Sequence, residues 1–132
     1  MQNTNVTEKK VLGVIGGMGP IATSYFMELV IKMTDAASDQ DHLDMIIYNI
    51  PSIPDRTGYI LDHSKPNPLP VILDIADKLD HLGVQFLAMP CCTAHYFQDE
   101  LEKSIKKPFV NIIKATVGYL KERGITRVGV MA

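Results

Sequence analysis

The sequence has only two cysteines, no excess of one charge and no long apolar run. Its apolar runs have the length of strands and are too short to cross a membrane as helices, so no membrane association is expected. The N-terminal residues 1–10 lack the apolar core of a secretory signal, which favours the cytoplasm. The two cysteines are neighbours, with Cα atoms too close for an ordinary disulfide, so both are expected to be free thiols.

The charges also exclude several kinds of partner. Thirteen basic and fifteen acidic residues give a net charge of −2, and they are scattered along the chain. Without a basic patch, neither nucleic acid nor an anionic membrane is an expected partner. The four histidines show no metal-ligand spacing. Two cysteines beside one histidine do not resemble a zinc knuckle, so no metal is predicted.

Apolar runs alternate with amphipathic stretches along the chain, which is typical of βαβ units. The pattern predicts an α/β fold with a parallel sheet of four to five strands and helices on both faces. The predicted strands cover residues 10–15, 45–50, 84–89, 109–112 and 127–132. The predicted helices cover residues 20–37, 57–62, 71–82, 93–107 and 117–123. The second strand is uniformly apolar, which indicates a sheet covered on both faces.

The length of 132 residues suits one domain. We expect a disordered head over residues 1–9 and a single α/β lobe over residues 10–132. The last predicted strand ends the chain with nothing after it to cover the sheet. The lobe is therefore expected to be truncated at its end.

Cys91 is the strongest candidate for chemistry. An apolar run over residues 86–89 places it at the carboxyl end of a predicted strand and just before a predicted helix. Ligands bind at that edge of parallel sheets, and helix amides there favour a thiolate. The alternative is a buried cysteine that acts as a small apolar residue. His95 could orient the thiol or could equally cap or pack, and it stays outside the predicted catalytic set.

Two further loops follow predicted strands. Residues 16–20 carry three glycines before a proline, and their backbone amides at a helix start suit a phosphate or a carboxylate. This loop matches neither a dinucleotide-binding nor a P-loop motif, and a tight turn without a ligand is the alternative. Arg56 suits bidentate recognition of a carboxylate, unless it is a solvated arginine paired with Asp55.

Three motifs follow predicted strands in order: Gly16-Gly17-Met18-Gly19-Pro20, Asn49-Ile50-Pro51-Ser52-Ile53-Pro54-Asp55-Arg56 and Pro90-Cys91-Cys92-Thr93-Ala94-His95. Together they resemble the aspartate/glutamate racemase family, specifically its aspartate racemase branch. The resemblance covers the chain from about Val11 to Ala132 and implies the N-terminal lobe of a two-lobed enzyme.

The resemblance implies racemisation of an acidic amino acid such as aspartate, without pyridoxal phosphate, metal or another cofactor. It implies a two-thiol mechanism in which Cys91 is the acid/base of this lobe and a second lobe supplies the other thiol. It also implies a small acidic amino acid as the substrate and a homodimer. The implied substrate-binding residues are Met18, Gly19, Asn49, Arg56, Cys92 and Thr93.

The sequence departs from the family pattern in two places. Cys92 stands where family members usually carry Asn, which puts specificity for aspartate in doubt. The second-lobe cysteine is absent, so the 132 residues alone are expected to be inactive. The alternatives are a related reaction such as decarboxylation or cis–trans isomerisation, a non-catalytic lobe that binds dicarboxylates, or a redox-responsive protein with a strained Cys91–Cys92 disulfide.

Overall fold

The computed structural model describes residues 9–131. It contains four strands: β1 (Val11–Gly16), β2 (Asp44–Asn49), β3 (Phe86–Ala88) and β4 (Phe109–Val110). Its five α-helices are α1 (Pro20–Met33), α2 (Arg56–Leu61), α3 (Leu69–His81), α4 (Gln98–Ser104) and α5 (Ile112–Glu122). Short 3₁₀ helices span Asp39–Asp41 and Thr93–Phe97. The predicted head lies outside the described residues except for Lys9, so that part of the prediction stays a prediction.

The four strands form one parallel sheet in the order β2-β1-β3-β4. Side chains alternate across it, so the two faces have separate apolar clusters. On one face, α1 contributes Phe26 to the cluster of Leu12 and Val14. On the other, α3 packs Ile75 and other apolar residues against β1 and β3. The predicted α/β fold with helices on both faces is confirmed.

Glycines allow β1 to pack closely against its neighbours. A Cβ at Gly13 would lie 2.7 Å from Leu87 Cδ2, and one at Gly16 would lie 2.5 Å from Thr23 Cγ2. The predicted glycine ends of two helices are also confirmed. Gly83 follows α3 with a φ of +83°, and Gly124 follows α5 with a φ of +65°. Both angles are in the left-handed region that glycine adopts without a steric penalty.

The predicted fifth strand is wrong for Arg127–Met131, which are exposed and form no strand, while Ala132 lies outside the described residues. A strand needs a hydrogen-bonded neighbour. The edge strand β4 contributes only Phe109 and Val110 to the sheet, and the segment pairs with neither.

The second strand, β2, packs against the buried clusters on both faces, through Ile46 and Tyr48 on one and Met45 and Ile47 on the other. It is nevertheless an edge strand, so its residues are half-buried or exposed and not fully buried.

Several predicted boundaries shift because capping residues end or begin helices. The first helix ends at Met33 rather than Ala37, since Thr34 is extended and its hydroxyl donates to the Val30 carbonyl. The strand predicted over 109–112 ends at Val110, because Asn111 caps α5. The helix predicted over 93–107 is divided into a 3₁₀ turn and the short α4. No helix of the described chain combines the length and the apolar character that a membrane span requires.

Candidate functional site

The strand order places a switch point between β1 and β3. From β1 the chain moves outward to β2 by way of α1, and from β2 it returns across β1 to β3 by way of α3 on the other face. In open parallel sheets, ligands bind in the crevice at the carboxyl ends of the strands beside such a point. The three loops of interest all leave the sheet at this edge.

The first loop is held against the second by close backbone packing. Gly17 has a φ of +102°, and a Cβ there would lie 2.3 Å from the carbonyl carbon of Ile50. The Ile50 amide donates to the Gly16 carbonyl at 3.2 Å. Gly17 is therefore needed for both its backbone angle and its lack of a side chain. Gly19, by contrast, has a φ of −103° and open space beside it.

Thr23 shapes the same loop and was not singled out from the sequence. Its buried hydroxyl accepts from the Gly17 amide at 2.9 Å and donates to the Gly19 carbonyl at 3.1 Å. Within residues 9–131, the amides of Met18 and Gly19 make no hydrogen bond. These two donors lie beside the N-terminus of α1, which has no side-chain cap. They can therefore bind an anionic oxygen.

Cys91 lies on the loop after β3, at the edge of the sheet where the other two loops also leave it. The residue is 9% exposed and belongs to an extended buried cluster that also contains Met18 from the first loop and Ile53 from the second. Its amide donates to the Met89 carbonyl at 2.8 Å. Its carbonyl oxygen lies 2.8 Å from His95 Nδ1. The thiol is thus largely screened from water, and the backbone that carries it is fixed on both sides.

Arg56 lies on the second loop at the start of α2. Its Nη1 donates to the Ile53 carbonyl at 3.4 Å and to the Pro54 carbonyl at 3.2 Å, while its buried Nε has no partner among the described residues. The alternative pairing with Asp55 is wrong. The Asp55 carboxylate instead caps α2, accepting from the Gly58 amide at 2.9 Å. The guanidinium therefore retains donors for a carboxylate.

The helix that carries Arg56 packs near the loop that carries Cys91. The rings of Tyr59 in α2 and Phe97 in the 3₁₀ turn have centroids 5.9 Å apart. This contact joins the helices that follow the second and third loops, on the side of the sheet covered by α3.

Cys92 lies in a different environment from Cys91. It is exposed and lines a groove of about 200 Å³ on the side of α1. The other residues of this groove are Ala22, Tyr25, Phe26, Leu29, Pro90 and Ile112. Both cysteines are free, and their separate surroundings give no support to the strained disulfide.

The remaining predicted site residues lie at the same edge of the sheet. Asn49 is the exposed last residue of β2 and pairs in register with Gly16 of β1. Thr93 is exposed at the start of the 3₁₀ turn after Cys91. Within residues 9–131, no three side chains of His, Cys, Asp or Glu are grouped in a way that could hold a metal ion.

A separate cavity of about 260 Å³ lies at the opposite edge of the sheet. It is bounded by the end of α3 and by the residues that precede β4. Lys107 pairs with Asp80 there at 3.1 Å. Because it is remote from the three strand-end loops, the carboxyl edge remains the candidate site.

Comparisons with known proteins agree with this geometry. A family model described as Asp/Glu/hydantoin racemase matches residues 15–132. The broad-specificity amino-acid racemase RacX of Bacillus subtilis (strain 168) is 35% identical over 111 residues, which are 81% of this chain and 48% of RacX.

Solved structures show the same likeness. The Picrophilus torridus aspartate racemase superposes with a TM-score of 0.80 and 39% identity, over 87% of this chain and 48% of that one. An aspartate racemase homologue from Pyrococcus horikoshii OT3 has a TM-score of 0.72 at 22% identity, over 88% of this chain and 50% of that one, and supports the fold alone. The chain thus spans about half the length of these relatives.

Proposed function

Because the chain belongs to the Asp/Glu/hydantoin racemase family, we propose that it forms one lobe of a cofactor-independent racemase that acts on aspartate or a related acidic amino acid. The observation that carries the proposal is that the loops after β1, β2 and β3 leave the parallel sheet at one edge and contribute Met18, Ile53 and Cys91 to one buried cluster. In this proposal, the second lobe lies in the part of the relatives' length that this chain does not span. A homodimer and a cytoplasmic location remain parts of the proposal.

In the proposed reaction, the Cys91 thiolate removes the α-proton from one face of the substrate. The electron pair of the broken C–H bond is delocalised into the α-carboxylate, and a thiol of the second lobe delivers a proton to the opposite face. The reverse reaction exchanges the two roles. Cys92 is unsuited to be the second base, because it is adjacent to Cys91 and lines a groove on the α1 side.

Charge that develops on the α-carboxylate needs fixed hydrogen-bond donors. The unpartnered amides of Met18 and Gly19 are suited to this role, and the exposed Thr93 hydroxyl lies at the same edge of the sheet. Asn49 would add an amide from the end of β2. Because the amides belong to a loop fixed by Thr23, they require little rearrangement when substrate binds.

The direct test is an assay of the two-lobed enzyme with L-aspartate in D₂O. We expect D-aspartate to form with deuterium at Cα, equally in untreated samples and in samples dialysed against a chelator. The isolated 132-residue chain should yield none. Absence of racemisation with every acidic amino acid, combined with heat of aspartate binding in calorimetry, would favour the non-catalytic binding lobe.

Racemisation of a wider range of amino acids is the second candidate function, and two observations favour it. The relative RacX is a broad-specificity amino-acid racemase. In addition, Cys92 contributes a thiol to a largely apolar groove. Racemisation assays with neutral amino acids test this candidate. A wide range in the native enzyme that is narrowed to acidic substrates by Cys92→Asn would support it.

Arg56 should bind a substrate carboxylate, and we expect Arg56→Gln to raise the KM for aspartate. A charge-assisted hydrogen bond contributes about 1.5–3 kcal/mol, which corresponds to roughly 10- to 150-fold in KM. Alanine, which lacks the side-chain carboxylate, serves as the second substrate. A rise in the KM for aspartate alone would mean that Arg56 binds the side-chain carboxylate of the substrate. A rise in the KM for both substrates would mean that it binds the α-carboxylate.

The control for this measurement is Arg123→Gln. The Arg123 guanidinium stacks on the Tyr119 ring of α5, with 3.6 Å between its Cζ and the ring centroid. Arg123→Gln should therefore change neither the KM for aspartate nor the KM for alanine. If Arg56→Gln changes the KM values no more than this control does, Arg56 has no part in carboxylate binding.

A further inference from the structure

His95 is a buried histidine, 3% exposed, whose two ring nitrogens both contact the backbone. The Ile112 amide donates to Nε2 at 3.2 Å, so Nε2 carries the lone pair. The proton must then be on Nδ1, which donates to the Cys91 carbonyl at 2.8 Å. The geometry therefore assigns a neutral imidazole in the Nδ1–H tautomer.

This arrangement excludes His95 as a general base for the Cys91 thiol. A base needs a free lone pair within reach of the proton it removes, and the lone pair of His95 already accepts from Ile112. The ring instead links two backbone segments. One is the Cys91 loop, and the other is the first turn of α5.

The amides in the first turn of α5 already have hydrogen-bond acceptors within the chain. Asn111 Oδ1 accepts from the amides of Ile113 and Lys114, both at 3.0 Å, while His95 satisfies the amide of Ile112. The first three helix amides therefore have acceptors, and none remains for a substrate anion. Anion binding is thus expected at α1 and not at α5.

Two more contacts continue the link between these elements. Asn111 Nδ2 donates to Gln98 Oε1 at 2.8 Å, and the Lys114 ammonium donates to the Glu102 carboxylate at 2.6 Å. The hydrogen bond from Lys114 lowers the pKa of Glu102. The helical segment after Cys91 is therefore joined to α5 at three points.

We propose that His95 is a positioning residue, which fixes the Cys91 carbonyl by tying it to the start of α5. Its importance for catalysis rests on the proposed function, in which Cys91 is the acid/base. The thiol must be held at a defined distance from the substrate α-carbon, because small displacements of a catalytic group have large effects on rate. The ring thereby makes the position of Cys91 depend on the docking of α5.

Nitrogen-15 NMR of the unmodified chain tests the tautomer without any substitution. We expect His95 to show a protonated Nδ1 and an unprotonated Nε2, with the signal assigned by its absence in His95→Gln. The exposed His81 should instead show averaging between its protonation states. A dominant Nε2–H tautomer or a doubly protonated ring at His95 would overturn the proposal, since neither can accept from the Ile112 amide.

Alkylation of Cys91 tests the positioning. Iodoacetamide is applied to a chain that carries Cys92→Ala, so that one thiol is counted by mass spectrometry. His95→Leu removes both ring contacts and should speed alkylation at least about tenfold, because the loop opens more often. His95→Gln retains one donor and one acceptor and should stay within about threefold of the parent.

Leu79→Ala is the control for general destabilisation. Leu79 belongs to the same extended buried cluster as Cys91 but is fully buried near the carboxyl end of α3, at the edge of the sheet opposite the site. Its removal should lower thermal stability and leave Cys91 alkylation within about twofold. An equal increase in the Cys91 alkylation rate of Leu79→Ala and His95→Leu, or no increase in either variant, would overturn the proposal.

The two proposals fail in different ways. In the two-lobed enzyme, His95→Leu should lower kcat for aspartate with little change in KM, and His95→Gln should restore most of the loss. Persistent racemisation in Cys91→Ser would reject the proposed function, while the NMR and alkylation results would still decide whether His95 holds the Cys91 loop.

Discussion

Cys91→Ser is expected to lower racemisation of aspartate by the two-lobed enzyme about 10²- to 10⁴-fold. A hydroxyl at this position keeps nearly the same volume, so the cluster that contains Met18 and Ile53 should remain packed. It does not ionise near neutral pH as a thiol can, so it cannot remove an α-proton. Chiral chromatography of the aspartate pool measures the loss, and circular dichroism checks that the fold is retained.

Cys92→Ser is the matched control, because it makes the same atomic change one residue away. The Cys92 side chain is exposed in the groove beside α1, so racemisation should stay within about tenfold of the unmodified enzyme. The reverse pattern, with an inactive Cys92 variant and an active Cys91 variant, would assign the acid/base role to Cys92. Full activity in both variants would reject a thiol mechanism for this lobe.

The element order was predictable because local signals agreed with the tertiary fold. Apolar runs gave the four observed strands, and glycines with positive φ at positions 83 and 124 ended α3 and α5 as predicted. The segment 127–131, which forms no strand, had the same apolar pattern. A strand also requires a hydrogen-bonded neighbour, and the pattern of one segment contains no information about that neighbour.

The position of the candidate site was predictable for a similar reason. Loops that follow parallel strands leave one edge of a sheet, so the sequence predicted that Met18, Arg56 and Cys91 lie along the same edge. It could not show that Asp55 caps α2 instead of pairing with Arg56. Nor could it show which of the possible roles His95 takes, because that depends on Ile112, which is 17 residues away.

The role of Thr23 was not predicted, because it depends on how the chain turns between β1 and α1. A threonine in the first turn of a helix has an ordinary sequence signature, and only the folded loop brings the Gly17 amide to its hydroxyl. A polar residue at helical spacing from the apolar Phe26 and Val30 was the available signal. Such a residue needs a hydrogen-bond partner, and here the partner is the loop that precedes the helix.

Gly17→Ala should lower the free energy of unfolding by roughly 2–6 kcal/mol, a large share of the stability of a typical domain. A residue with a side chain is strained at the φ of +102°, which costs about 1–3 kcal/mol. The new Cβ would also lie 2.3–2.6 Å from three backbone atoms of Ile50, and such overpacking costs about another 1–3 kcal/mol. Urea denaturation followed by circular dichroism measures the change.

Gly19→Ala separates this effect from the general effect of adding a methyl group to the loop. Gly19 has a φ of −103° and no atom within 4 Å of its would-be Cβ, so its variant should unfold within about 0.5 kcal/mol of the parent. Because Met18 and Gly19 follow Gly17 directly, a shift of its backbone should displace their amides, and the Gly17 variant should also lose aspartate racemisation in the two-lobed enzyme. Equal denaturation midpoints for the two variants would mean that Ile50 does not confine the first loop as the structure indicates.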